Sequence, residues 1–214
     1  MNKYALDFYF LFLIIRMKPI RTDFNSALSD ASLTRLARRA GVEAVGGTAL
    51  FMALRSFISY SMDTILREAI YTVMNVSKDN SQKTLSRDVL TRAITSLNVK
   101  LFNGNSNNNS NDNSNYNFTT MLGYKKCKSN KIVDCVSIPK TTFKRLVITE
   151  ANNYYLAKDI KVPSDASLIL QVYIENMTIQ LCKTAYLITV NAGRKTLSNK
   201  DVTLTRKIAR INFV

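Results

Sequence analysis

"RKTLSNKDVTLTRKIARI" (Arg194–Ile211) nearly repeats "KTLSRDVLTRAITSL" (Lys83–Leu97). Each phrase follows a long apolar helical pattern. Each has a short basic loop, then a serine suited to cap a helix, then apolar residues at helical spacing. The first phrase carries Ser86 with Val89, Leu90, Ala93, Ile94 and Leu97. The second carries Ser198-x-x-Asp201, a capping box, with Val202, Leu204, Ile208 and Ile211. A phrase written twice marks the end of a repeated unit.

Upstream of the first phrase lies "TALFMALRSFISYSMDTILREAIYTVMNV" (Thr48–Val76), one helical pattern without proline or glycine. Upstream of the second lies "DASLILQVYIENMTIQLCKTAYLITVNA", expected to be capped by Ser164 and stopped by Gly193. A short helix precedes each. "SLTRLARRAG" (Ser32–Gly41) presents Leu33, Leu36 and Ala37, and "TTFKRLVITEANNYY" presents Phe143, Leu146 and Val147. Each half therefore reads as short helix, long helix, short helix. At 1.5 Å per residue a long helix spans about 42 Å. Leu168, Ile169, Leu170, Val172, Tyr173 and Ile174 nearly encircle the second one. A helix apolar on all sides needs cover on all sides, and two short helices cannot supply it. The expectation is an all-α chain whose two halves cross at their long helices.

"NGNSNNNSNDNSNYN" (Asn103–Asn117) lacks the apolar residues to build a core. It divides the chain into an N-terminal extension (1–31), a first unit (32–102), a linker (103–137) and a second unit (138–214). The net charge is +15, from 30 Lys and Arg against 15 Asp and Glu. The second unit has 12 basic and 5 acidic residues, net +7, and Ser32–Leu97 has 9 and 5, net +4. Such a balance points to a polyanionic partner, nucleic acid before an acidic membrane.

The chain has no histidine, which removes Ser-His and Cys-His catalysis and the commonest metal ligand. Cys127, Cys135 and Cys182 read as reduced thiols, since "CKSNKIVDC" is too wide for a CxxC knuckle. No metal, cofactor or small-molecule substrate is expected, and the chain does not read as an enzyme. The apolar run Phe8–Ile15 is too short for a bilayer and lacks a cleavage signal. It reads as an extension of little consequence, with a start at Met17 as one alternative. Membrane partnership is not expected.

The order of elements and several residue runs resemble the histone fold. "RLARRAGVEAVGG" (Arg35–Gly47) is similar to histone four, a likeness continued by Tyr71-Thr72, Lys83-Thr84 and Asp88-Val89, and more weakly by "VKLFNG" (Val99–Gly104) against its C-terminal strand. "FKRLV" (Phe143–Val147) is similar to the start of the histone three core. From Lys158 to Ile208 the likeness has no gap, including Leu170-Gln171, Glu175, Leu181, Ala192, Arg194, Thr196, Lys200-Asp201, Leu204 and Arg206. A histone four-like unit ahead of a histone three-like unit resembles the histone doublets of large DNA viruses. The resemblance implies two histone folds paired within one chain as a handshake pseudo-heterodimer.

It also implies sites. One pair of adjoining loops would offer DNA Lys83, Thr84, Lys158 and Lys161. The other would set "GVEAV" beside Arg194, Lys195 and Thr196. Between them the short first helices would bring Arg35, Arg38 and Arg39 near Lys144 and Arg145. Glu43 and Ala44 stand where histone four carries a basic pair, which weakens that loop's grip, and Lys161 stands for an arginine. Leu187, Ile188, Asn191, Arg194, Asp201, Leu204 and Ile208 would pair with a second copy of the chain, with Arg194 and Asp201 also braced across their loop. Tyr71, Leu97, Leu101 and Phe102 would meet a histone two B/two A-like doublet, with Thr91 near the place of a missing aromatic. Arg55, Arg67 and Lys183, inside the long helices, are expected to be solvated or ion-paired.

The implied function is non-sequence-specific packaging of double-stranded DNA into nucleosome-like particles, in a virion and in the host nucleus or viral factory. The alternative is a histone-fold regulator that bends DNA or scaffolds a complex.

Overall fold

The computed structural model describes residues 27–76, 84–102, 136–154 and 160–208; of residues 74–76 and 98–102 it describes the backbone alone. Lys83, Lys158, Cys127, Cys135, the Asn-rich stretch and the apolar run Phe8–Ile15 lie outside the described residues. The first set of elements is α1 (Asp30–Arg39), β1 (Ala44–Val45), α2 (Thr48–Val76) and α3 (Arg87–Phe102). The second set is α4 (Lys140–Asn152), α5 (Ser164–Asn191), β2 (Thr196–Leu197) and α6 (Asn199–Ile208). The short-long-short order thus occurs twice, joined by two short strands that helical periodicity cannot reveal.

Local chemistry sets the helix ends. The Ser29 hydroxyl accepts the Ser32 N–H at 3.3 Å and caps α1, so the helix opens two residues before Ser32. Leu28, just ahead of that cap, is buried with Leu33 in the same core, the arrangement of a hydrophobic staple. The first helix therefore begins before residue 32. Gly41 and Gly193 take positive φ values of 87° and 70° beyond α1 and α5, a conformation costly to residues with a Cβ. Ser86 Oγ accepts the Val89 N–H at 3.4 Å. At α6 the Asp201 carboxylate accepts the Ser198 N–H at 3.0 Å, the reach-back bond of a capping box.

Two sequence expectations need correction. Ser164 is not the cap of α5: Pro163 occupies the cap position without a side-chain bond, and the Ser164 hydroxyl accepts from Lys144 Nζ at 2.9 Å. Val99–Phe102 is not a strand but the last turn of α3. Leu97 and Leu101 keep a spacing of four, which continues the helix.

The 29-residue α2 and the 28-residue α5 form the centre. Helix α5 touches α1, α2, α3, α4 and α6. Every residue from Leu170 to Glu175 is buried, so the helix is enclosed on all sides there. Opposite it, Leu50, Leu54, Phe57, Ile58, Met62, Ile65, Leu66, Ala69 and Ile70 of α2 are buried. Full burial of such side chains contributes about 1.5–3 kcal/mol each. Both α4 and α6 of the second set also pack on α2.

The connections exchange partners in the same sense. β1 runs parallel to β2, with Ala44 opposite Thr196 and Val45 opposite Leu197. At the other end Thr84 forms a parallel bridge with Lys161, and the Leu85 N–H donates to the Lys161 carbonyl at 3.0 Å. The first connection of one set thus meets the second connection of the other, twice. Tyr154, after α4, donates its hydroxyl to the Asp63 carbonyl at 2.9 Å and to the Asp63 carboxylate, tying α4 to the middle of α2. Burial first, and then the Asp63 charge, push the Tyr154 hydroxyl well above the ordinary phenol range.

Gly46 marks the tightest approach. Its N–H donates to the Leu197 carbonyl at 2.8 Å, and a Cβ there would lie 2.6 Å from that same oxygen. Gly46→Ala is expected to push β1 from β2 and cost about 1–3 kcal/mol, as overpacking does; urea denaturation of the full chain measures this.

Candidate nucleic-acid interface

The end built on β1 and β2 is braced by hydrogen bonds within its own loop. Arg194 Nη1 donates to Asp201 Oδ2 at 3.0 Å, and Nη2 donates to Oδ1. This is the brace expected from sequence. Asp201 is buried and also accepts the Ser198 hydroxyl at 2.6 Å and the Thr189 hydroxyl at 3.0 Å. The Arg194 guanidinium first, and then the Ser198 and Thr189 bonds, hold the Asp201 carboxyl well below the usual carboxylate range against the effect of burial. The loop presents Lys195 and Thr196, both exposed, and Arg194, exposed but committed to Asp201. Glu43 is exposed on the facing connection, an acid beside a cationic edge.

The other end gathers Thr84 and Lys161, both exposed and bridged through the backbone. The bond to Ser164, three residues after Lys161, draws Lys144 to this end. The sequence reading set Lys144 beside the α1 arginines; the structure instead takes its ammonium to the start of α5. Arg87, the first residue of α3, is exposed at this same end. Sequence reading passed it over, although its place directly after the Ser86 cap was the available signal. An exposed cation beside backbone N–H groups at helix starts suits phosphate.

The three arginines of α1 divide. Arg35 Nη2 donates to the Ser137 carbonyl at 2.9 Å and to Ser32 Oγ at 3.0 Å. Arg39 Nη1 donates to Ser137 Oγ at 2.9 Å and to Glu175 Oε2 at 3.1 Å. Both bind the segment just before α4. Arg38 is exposed, as is Arg145 on α4, so their charge faces solvent. The interior helix cations are paired as expected: Arg55 is buried against the Leu28 carbonyl and Asp30, and Arg67 meets Asp63.

Two further faces were expected from sequence. On α5 and α6, Leu187 (59% exposed), Leu204 (45%) and Ile208 (66%) form an apolar set with half-buried Ile188 and exposed Asn191. Val190, 51% exposed, joins it and was missed, although it lies one helical turn from Leu187. Asp201 points inward and is spent within its own loop. On the first set Tyr71 is exposed, but Leu97 is buried in the chain's own core and offers a partner little. The side chains of Leu101 and Phe102 lie outside the described residues. Cys182 is buried, and burial pushes its thiol up to about 12, which leaves it unreactive. Among the described residues no helix is long and apolar enough to cross a membrane.

The Asp201 brace predicts a pH dependence. A carboxyl held low in the folded state adds stability above the usual carboxylate range, about 4, and that contribution is lost as pH falls further. Asp201→Asn is expected to melt below the wild type at pH 7, with the gap narrowing below about pH 4; thermal denaturation over pH 2–7 measures both.

A family model for the core histone domain, the one shared by histones two A, two B, three and four, matches residues 121–208. Among solved structures, the crystal structure of the histone from Methanopyrus kandleri is similar, with a TM-score of 0.52 and 17% identity. That likeness covers 85% of this chain and 95% of the other, so it takes in helices of both sets, and at such identity it concerns the fold alone. The second set is therefore a histone-fold domain, in a chain whose architecture is that of a histone-fold protein.

Proposed function

We propose that the chain is a structural DNA-packaging protein in which two histone folds pair in cis, a histone four-like unit ahead of a histone three-like one. It binds duplex DNA through the backbone, without base readout. The observation that carries the reading is the exchange of connections. Each loop meets the opposite loop of the other set, which collects cations and hydroxyls at two ends of one body. Lys161, Thr84, Lys144 and Arg87 serve one end, and Lys195 and Thr196 the other. Arg38 and Arg145 lie on the first helices of the two sets. Exposed cations of this kind neutralise phosphates and release counterions, so affinity falls steeply with salt. The end carrying Glu43 grips less firmly than the end carrying Lys161.

Digestion of DNA reconstituted with the full chain by a nonspecific nuclease tests this. Discrete protected lengths support wrapping; a featureless smear overturns it. Arg38→Gln is expected to reduce the slope of log affinity against log salt by about 1 while leaving the melting temperature unchanged, as titrations at several salt concentrations would measure.

The apolar set on α5 and α6 fits a second copy of the chain, through the surface that Leu187, Val190, Leu204 and Ile208 leave uncovered. Isologous pairing there would make a tetramer-like dimer of doublets. The Tyr71 face would take a histone two B/two A-like doublet, and the site of action would be the virion and the host nucleus or viral factory. Leu187→Asp with Ile208→Asp should convert the larger assembly to single chains in sedimentation velocity, with the helical content retained.

A further inference from the structure

The buried positions of the two sets recur at the same spacing within the first and the long helices, which exposes one chemical difference. The buried Leu33, Leu36 and Ala37 of α1 recur at identical spacing as Phe143, Leu146 and Val147 of α4. Leu54, Phe57 and Ile58 of α2 recur as Leu170, Tyr173 and Ile174 of α5. By the same steps Leu28 corresponds to Ile138, Arg55 to Gln171, Ser59 to Glu175 and Arg39 to Thr149.

In each set a side chain of the long helix holds the residue that leads into the first helix. Arg55 donates to the Leu28 carbonyl at 2.8 and 2.9 Å. Gln171 Nε2 donates to the Ile138 carbonyl at 2.7 Å. The charges are completed differently. Arg55 finds its counter-charge, Asp30, within its own set. In the second set Glu175 is fully buried and accepts the Ser137 N–H at 2.7 Å, the Ile138 N–H at 3.0 Å and Gln171 Nε2 at 2.9 Å. The cation facing it, Arg39, comes from the other set, at 3.1 Å.

We infer that Glu175 and Arg39 form a pairing-specificity latch, which makes the second unit accept the first unit and reject another second unit. Were two second units to pair, Thr149 would stand where Arg39 stands, followed by Glu150, and the buried carboxylate would face no cation. Glu175 is fully buried, and leaving a buried charge uncompensated is far more costly than removing both partners. The latch also fastens Ser137, where the linker ends, to α1 through Arg35 and Arg39. The inference rests on the cis-paired two-unit reading but not on DNA binding, so the tests below separate the two.

In the full chain, Arg39→Gln should lower the melting temperature by several degrees. Adding Glu175→Gln should restore at least half of the loss. A double variant melting no higher than the single one overturns the latch. The second test moves the cation. A benzoylphenylalanine photo-crosslinker at exposed Thr196 should capture residues around Ala44 of the same chain in the wild type. In Arg39→Thr with Thr149→Arg, the captures should shift toward residues around Lys161 of another chain, with the intermolecular share at least doubling. Captures unchanged in target and proportion overturn the specificity role. The melting comparison stands by itself if the rearranged variant fails to fold.

Discussion

One stretch of α5 has no solvent side. From Leu170 to Glu175 every residue is buried, and the helix as a whole packs against five others. A single three-helix set cannot do this, because one long rod and two short helices leave a face of each rod bare. Packing the two sets together buries both rods. The connections pair in the exchanged order, the first of one set with the second of the other, at both places.

The exchange turns a packing solution into a surface. Loops that lie far apart in sequence become neighbours, with Thr84 beside Lys161 and Ala44 beside Thr196. Backbone groups that a loop would leave unsatisfied are paired across the units: Gly46 N–H with Leu197 and Leu85 N–H with Lys161. The close approach at Gly46 shows how little slack remains. The second connection is stiffened further by the Arg194–Asp201 pair and by the serine and threonine hydroxyls around it. Backbone and side-chain bonds of this kind lower the cost of ordering the loops on contact with a repeating phosphate backbone.

Enclosure also sorts the cations. A cation near the contact between the sets is drawn to an acceptor of the other set: Arg39 goes to Glu175 and Arg35 to the Ser137 carbonyl, whereas Arg55 is held within its own set by the Leu28 carbonyl. Residues of one type on one short helix therefore take different work: all three are exposed, but Arg35 and Arg39 also bind Ser137 of the other set. The same logic keeps Leu97 inside and leaves Leu187, Val190, Leu204 and Ile208 outside.

By itself the sequence determined the helices and their order. The twice-written phrase, the uninterrupted runs Thr48–Val76 and Ser164–Asn191, the Gly193 stop and the Ser198–Asp201 box are local signals, set by hydrogen bonds and periodicity within a few residues. The need for cover around α5 was legible as well, since Leu168–Ile174 leaves no polar stripe. The start of α1, the cap of α5 and the end of α3 differ from the sequence reading, because Leu28 burial, the Lys144–Ser164 bond and the continuation past Leu97 depend on neighbours. Only the tertiary structure decided that Arg35 and Arg39 bind Ser137, that Glu175 is neutralised from the other set, and that Asp201 is spent inside its loop. Those outcomes turn on distances of about 3 Å between groups far apart in the chain, and spacing along one helix carries no record of them.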